Sequence, residues 1–361
     1  MERNLTLIPQ MSILPTRIVR FNYALWEPSP PPRNRYSTFS DYLETSQNTT
    51  ESAPASPNQN FIESTRKAQG IISRHAQRKI SKAIDFLLFI SPTKKVRNPA
   101  SLKIVSFRLS FLTFTLPSPQ IHTDKEITQG CFHQMLVELK KYHGVKNYLW
   151  RAEKQANGNI HYHLITNKFI LYTDVRDRWN RIINKLGYVD RYTESMKKFH
   201  SKGFKFRPEL SGKWSYSKQK QAYINGKKTG FKHPNSTDIH SLRKIKNLRN
   251  YLTKYVSKNA KVNPEMSQEE REKLLVNGRL WSADYQLLNA EPVKMDVDSE
   301  VDSMLERIEG AKGVKVYHDD FFSCYYFDIR ELAGTNFDYI LNYFQRYVSD
   351  HFELPINKLI F

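Results

Sequence analysis

From Ile104 to Leu116, apolar and β-favouring residues run almost without interruption, ending at Pro117, which has no N–H to offer a sheet ladder. This stretch predicts a strand. Residues 125–143 then place Ile127, Met135, Leu136 and Leu139 at helical spacing. Tyr148 to Glu153 predicts a second strand, and Ile160 to Ile165 predicts its return. Between them lies Asn157-Gly158, a pair suited to the left-handed backbone of a hairpin turn. Val175 to Leu186 and Leu242 to Asn259 carry two further helical patterns, the second broken by Asn263-Pro264. Residues 62–90 read as helical and basic. The pattern predicts an α+β fold: an antiparallel β-sheet core, holding Phe111–Leu116 beside Ile160–Ile165, with helices on one face.

Towards the ends the character changes. Residues 27–60 are rich in Pro, Ser, Asn and Thr, with Pro28, Pro30, Pro31 and Pro32 in near-succession. Such a stretch is irregular rather than packed. Residues 191–247 are polar and basic with scattered glycines, and are expected as a long loop or irregular insertion that touches DNA. From about residue 291 the chain turns acidic, and Val314 to Ile329 alternates like a strand before a helical tail. The expected organisation is therefore an N-terminal extension over 1–75, partly disordered, a main domain over 76–290, and an acidic accessory region over 291–361.

Charge sharpens this division. The chain of 361 residues carries a net charge of +20, but residues 61–260 hold 40 Lys+Arg against 12 Asp+Glu, while residues 261–361 hold 11 against 19. In the basic middle, cations alternate with Tyr, Phe and Trp. Cations neutralise phosphates and aromatic faces stack on unpaired bases, so the mixture suits single-stranded nucleic acid. No run of residues is apolar enough to span a bilayer. The N-terminus lacks a basic-then-apolar export pattern, so a cytoplasmic location with no membrane partner is expected. The two cysteines, Cys131 and Cys324, lie far apart without C-x-x-C spacing, which argues against a disulfide scaffold or a thiolate zinc site.

Two short motifs carry candidate chemistry. In Ile160-His161-Tyr162-His163-Leu164-Ile165, strand alternation puts both histidines on one face, roughly 6–7 Å apart along the backbone. The hairpin turn folds Glu153 back beside them, so a carboxylate and two imidazoles could gather one metal ion with positions left open for water or phosphate oxygens. Neutral imidazoles favour Mn²⁺ over Mg²⁺ intrinsically, although Mg²⁺ is the more abundant cellular ion. In Tyr251-Leu252-Thr253-Lys254-Tyr255-Val256-Ser257-Lys258, the two tyrosines are four apart and share one helix face, with a lysine three residues after each. An amphipathic helix with buried rings would show the same spacing. A phenol is a poor nucleophile at neutral pH; a nearby ammonium favours phenolate character, and a metal makes phosphorus more electrophilic.

The order of these motifs is informative in combination. A Phe111-Leu112-Thr113-Phe114-Thr115-Leu116-Pro117 strand, then Trp150-Arg151-Ala152-Glu153-Lys154-Gln155-Ala156-Asn157-Gly158 leading into His-Tyr-His, then a duplicated Tyr-x-x-Lys helix, resembles the HUH rolling-circle replication initiators. The two-tyrosine type found in small single-stranded DNA bacteriophages and plasmids is the nearest likeness, and it covers roughly residues 100–290. The resemblance implies an HUH endonuclease domain with an RRM-like palm. It implies His161 and His163 as metal ligands, with Glu153 as third, and a divalent ion, Mg²⁺ or Mn²⁺. It further implies Tyr251 and Tyr255 as alternating nucleophiles, with Lys254 and Lys258 at the scissile phosphate. Thr113 and Thr115 fall in a motif of scaffold and DNA contact. The implied partners are single-stranded DNA at a replication origin and a host helicase and DNA polymerase, within the cytoplasm of a bacterial cell.

A phosphate-binding Gly-x-x-x-x-Gly-Lys-Ser/Thr loop is absent, since Gly226-Lys227-Lys228-Thr229 lacks the upstream glycine. ATP hydrolysis is not expected. Other readings of the same residues are a mobilisation relaxase or transposase of the same superfamily, a non-catalytic DNA-binding regulator, and a phosphodiesterase that uses activated water.

Overall fold

The computed structural model describes residues 5–26, 70–212, 214–242, 248–257, 266–311 and 314–355. In chain order, β1 (Leu5–Leu14) and β2 (Arg17–Trp26) are followed by α1 (Arg74–Phe89), β3 (Lys94–Arg97), β4 (Ile104–Phe107) and β5 (Ser110–Phe114). Next come α2 (Asp124–Ile127), a π-helical turn over Thr128–Phe132, α3 (His133–His143), β6 (Tyr148–Lys154) and β7 (Ile160–Thr166). Helices α4 (Tyr172–Ile183), α5 (Tyr188–Phe199) and α6 (Tyr216–Lys228) precede β8 (Thr237–Ser241) and α7 (Leu248–Ser257). Then follow α8 (Gln268–Leu274), β9 (Trp281–Ala283), α9 (Tyr285–Asn289) and β10 (Val293–Asp296). The chain ends with α10 (Ser299–Glu309), β11 (Lys315–His318), β12 (Phe322–Tyr326) and α11 (Asp338–Phe352).

These elements form two compact units, one of residues 69–290 and one combining residues 1–68 with 291–361. The first contains a five-stranded antiparallel sheet in the order β8-β5-β7-β6-β9, and β3 and β4 form a separate ribbon. Register sets its two faces. Leu112 lies opposite Leu164, which lies opposite Trp150, while Phe114 pairs with Tyr162 and Ala152. This face packs under α2–α5 in one apolar cluster with Phe132, Met135, Leu139, Val175, Trp179 and Ile182. The rings interlock: Phe132 stacks on Tyr162 with centroids 4.0 Å apart, and Trp179 packs edge-on against Phe114 at 5.2 Å. The Trp179 indole N–H donates to the Thr115 carbonyl at 2.8 Å, so a large ring is buried without an orphaned donor.

The opposite face carries Phe111 and Thr113 on β5, His161, His163 and Ile165 on β7, and Leu149, Arg151 and Glu153 on β6. Helix α1 contributes nothing to the apolar cluster under the first face and lies against β6 from this side. Its N-terminus is capped by the Ser73 hydroxyl, which accepts from the Ala76 N–H at 3.2 Å, and its buried residues include Ile80, Ala83, Ile84 and Leu87 at helical spacing. Helix α7 packs in turn on α1. Arg249 of α7 reaches the fully buried Asp85 of α1 through a bidentate ion pair, and its Nη2 also donates to the Ser81 hydroxyl at 2.9 Å.

The antiparallel pairing of Phe111–Leu116 with Ile160–Ile165 appears as expected, with β5 in register against β7. The basic segment 191–247 does not form an irregular loop. It contains most of α5, all of α6 and the edge strand β8, which pairs with β5. Its elements hid from the pattern for a physical reason. Helix α6 buries little beyond Gln219, so it has no apolar stripe, and β8 is Thr-Asp-Ile-His-Ser, with three exposed positions. Val314–Ile329 is likewise a hairpin of two strands rather than one strand.

In the second unit the sheet order is β10-β1-β2-β12-β11. Residues 5–26, expected within an extension, form its central hairpin, and α10 packs on β12. The Arg20 guanidinium holds Asp302 of α10 at 2.6 Å. The Pro-rich stretch 27–60 lies outside the described residues. Among the described residues no helix is long and apolar enough to cross a membrane.

Candidate active site

The β6–β7 hairpin builds the site. Its five-residue connection closes with the Gln155 N–H donating to the Asn159 carbonyl and the Gly158 N–H donating to the Gln155 carbonyl, both at 2.9 Å. Gly158 sits at φ +82°, a left-handed conformation that costs an L side chain roughly 1–2 kcal/mol. The register that follows places Glu153 directly opposite His161 and Arg151 opposite His163. A slip of one residue would send both histidines to the aromatic core on the other face.

Glu153, His161 and His163 present ligand atoms that all lie within 4.8 Å of one another. The imidazole rings of His161 and His163 stand nearly perpendicular, with centroids 4.5 Å apart. His163 is buried; its Nε2 meets Glu153 Oε1 at 2.9 Å, and its Nδ1 lies 3.3 Å from the Thr113 hydroxyl. Phe111 supports the same ring at a centroid distance of 5.1 Å. On the other carboxylate oxygen, Arg151 Nη2 stands at 4.0 Å from Glu153 Oε2.

Electrostatics keep these groups in ligand form. Burial, helped by the charge of His163 and opposed by Glu153, pulls the His161 imidazole down to about 4, so it is neutral at physiological pH. Burial pushes the Glu153 carboxyl up, but the His163 hydrogen bond, its charge and the Arg151 guanidinium pull harder and hold it below its ordinary value. The Nδ1 atom of His161 is buried with no hydrogen-bond partner. An unsatisfied imidazole nitrogen beside a carboxylate and a second imidazole is a donor set with room for a divalent cation.

The tyrosine helix is anchored differently from the expectation that it lies across β7. Its main packing partner is α1, through the buried Leu252 and Val256 and the Arg249–Asp85 pair. At 100° per residue, Arg249, Leu252 and Val256 share one side, whereas positions 251, 254, 255 and 258 fall on the other. Accordingly Lys254 is exposed and Tyr251 half-buried. The side chain of Tyr255 and the whole of Lys258 lie outside the described residues. Thus the structure gathers Glu153, His161 and His163 at one point, and fixes the tyrosine helix on α1, which in turn lies against the glutamate strand.

Sequence reasoning passed over two neighbours of this cluster. Arg151 and Thr113 both face the histidines, Arg151 because it sits two residues before Glu153 on the same strand, and Thr113 because β5 pairs with β7 in the observed register. The first was readable from alternation alone; the second needed the pairing.

No curated protein and no solved structure matches the chain. Residues 109–260, spanning β5 through α7 and both motifs, match the ORF2-type family of replication-associated proteins, so over that core the chain is similar to replication-associated proteins and is assigned a role in initiating replication.

Proposed function

We propose that the chain starts rolling-circle replication by cutting one DNA strand at an origin and holding the cut end through a tyrosine. The observation that carries this reading is the gathering of Glu153, His161 and His163 on one sheet face within a segment that matches a replication-associated family. These three residues would hold a Mg²⁺ or Mn²⁺ ion, taking the place of the proton now shared between His163 and Glu153. When bound, the ion supplies charge neutralisation at the non-bridging oxygens of one phosphate.

The protein's own groups do the rest. The hydroxyl oxygen of Tyr251 or Tyr255 attacks phosphorus in line, and the bond from phosphorus to the 3′ oxygen breaks. The departing oxygen takes a proton and becomes a 3′-OH that a host polymerase can extend. The phosphate remains as a 5′-phosphotyrosyl ester, so one phosphodiester is exchanged for another and rejoining needs no nucleotide. Lys254 and Lys258 stabilise the developing negative charge. The second tyrosine cuts the regenerated junction, and the free 3′-OH displaces the first link. A helicase supplied by the host opens the duplex.

The test uses a randomised single-strand pool labelled at its 3′ end, incubated with the protein and Mn²⁺ or Mg²⁺. A labelled band that survives denaturation and migrates with the protein is expected. The Tyr251→Phe/Tyr255→Phe double variant should lose it, and His161→Ala should reduce it by at least about 100-fold. Cleavage without a protein-linked label would point instead to a hydrolytic phosphodiesterase, and neither cleavage nor adduct would refute the nuclease reading.

A further inference from the structure

The deepest cleft in the main unit is not at the histidines. It measures about 590 Å³ and opens between α5, the loop after it, α6 and residues 229–235. That volume falls within the range of about 300–1,000 Å³ typical of ligand sites. The segment that forms most of it, residues 191–235, holds 12 Lys+Arg against 2 Asp+Glu.

Its walls are aromatic and fixed. His200 lies nearly parallel to Phe231, at 5.7 Å and 11°, and packs on Tyr223 at 4.7 Å. Phe231 is pinned three ways: its N–H donates to the Gly226 carbonyl at 2.7 Å, its carbonyl accepts from the Thr193 hydroxyl at 3.1 Å, and its φ of 60° lies in the left-handed region. The loop opposite is held by the buried Gln219 amide, which accepts from the Arg207 N–H and donates to the carbonyls of Arg207 and Trp214 at 2.9–3.0 Å. A wall built this way is preorganised rather than collapsed around bulk water.

At the mouth, Trp214 is 44% exposed and, among the described residues, stacks on no other ring. Cations line the rim: the Arg207 guanidinium and the Lys205 ammonium sit 4.3 and 5.2 Å from the Phe199 ring. The one carboxylate among the lining residues, Asp177, is engaged by Arg176 at 3.4 Å and lies 3.9 Å from His233. An unpartnered indole face beside fixed cations is complementary to an unpaired base flanked by phosphates.

We propose that this cleft receives one unpaired nucleobase of a bound single strand, stacked on Trp214, while Lys205 and Arg207 hold the adjoining phosphates. The inference rests on the reading that the protein acts on single-stranded DNA, but not on the tyrosine chemistry. It assigns the helical segment 188–235 the task of gripping the strand away from the histidine cluster.

The experiment measures fluorescence anisotropy of the full chain with labelled oligothymidylate and with a sugar–phosphate strand of equal length lacking bases. Stacking of one base predicts a roughly 5- to 150-fold weaker affinity for the base-free strand. Trp214→Ala should lose the same factor on oligothymidylate and nothing further on the base-free strand, whereas Trp214→Phe should bind within about threefold of the parent. In the parent, binding should quench tryptophan emission, and Trp214→Phe should remove that quench. Parent-like binding of oligothymidylate by Trp214→Ala, or an equal loss on both strands, would overturn the proposal. The two readings fail separately: an adduct that forms normally in a Trp214→Ala protein with parent-like binding sinks the cleft alone. Base-dependent binding through Trp214 without any adduct sinks the nicking chemistry alone.

Discussion

The Arg249–Asp85 pair is the clearest place to perturb the tyrosine helix without touching either motif. Asp85 is fully buried on α1, and the Arg249 side chain from α7 is about 29% exposed. Arg249→Met keeps most of the aliphatic stem and removes the charge, stranding a carboxylate in an apolar layer. Two guanidinium–carboxylate hydrogen bonds and one to Ser81 are lost together. Breaking a fully buried pair costs about 3–5 kcal/mol; partial exposure of the guanidinium lets water screen it, which brings the expected loss to about 2–3 kcal/mol. The assay is urea unfolding of the full chain, followed by tryptophan emission. Asp85→Leu combined with Arg249→Met should recover much of the loss, because a paired removal leaves no stranded charge. Adduct formation should fall in Arg249→Met alone, while metal affinity stays within about threefold. A loss below about 0.5 kcal/mol in the single variant, or additive losses in the double variant, would refute the view that this pair locks the tyrosine helix onto α1.

In chelator-treated protein, His161 binds its proton near pH 4 when folded but near its ordinary 6.5 when unfolded, so the unfolded chain holds more protons between those values. Stability should therefore be complete above about pH 6.5 and fall towards pH 4, by up to roughly 1.4 kcal/mol per pH unit; an identical slope in His161→Gln would rule out His161 as its source. Lys154→Met should cost about 3–5 kcal/mol by urea unfolding, because it leaves Asp124 buried with its strongest partner, at 2.6 Å, removed. Gly226→Ala would bring a methyl to 2.6 Å from the Phe231 ring, so about 1–3 kcal/mol of strain and a disturbed cleft are expected; unchanged unfolding and strand binding would contradict this. Burial raises the Cys131 thiol to about 11, so in a Cys324→Ser background it should resist alkylation at pH 8 until the chain unfolds.

Much of the site was legible in the linear chain because its parts are local. Strand alternation puts His161 and His163 on one face whatever the rest of the protein does, and a hairpin through Gly158 obliges Glu153 to return beside them. The strongly apolar runs at 110–114 and 160–166, buried on both sides, announced themselves as central strands for the same reason. Charge, too, is a property of the sequence alone, and it divides the chain into a basic middle and an acidic end.

What tertiary structure decided is everything that depends on a distant partner. The Thr-Asp-Ile-His-Ser edge strand exists because β5 offers it a ladder, not because its own residues demand one. Residues 5–26 become the middle of a sheet through partners far along the chain, at 293–296 and 322–326. The neutral state of His161 follows from burial that no dipeptide pattern encodes. The direction of the tyrosine helix likewise follows from Asp85, a lone acid in a basic, apolar helix, whose burial only an arginine arriving from 164 residues away could compensate.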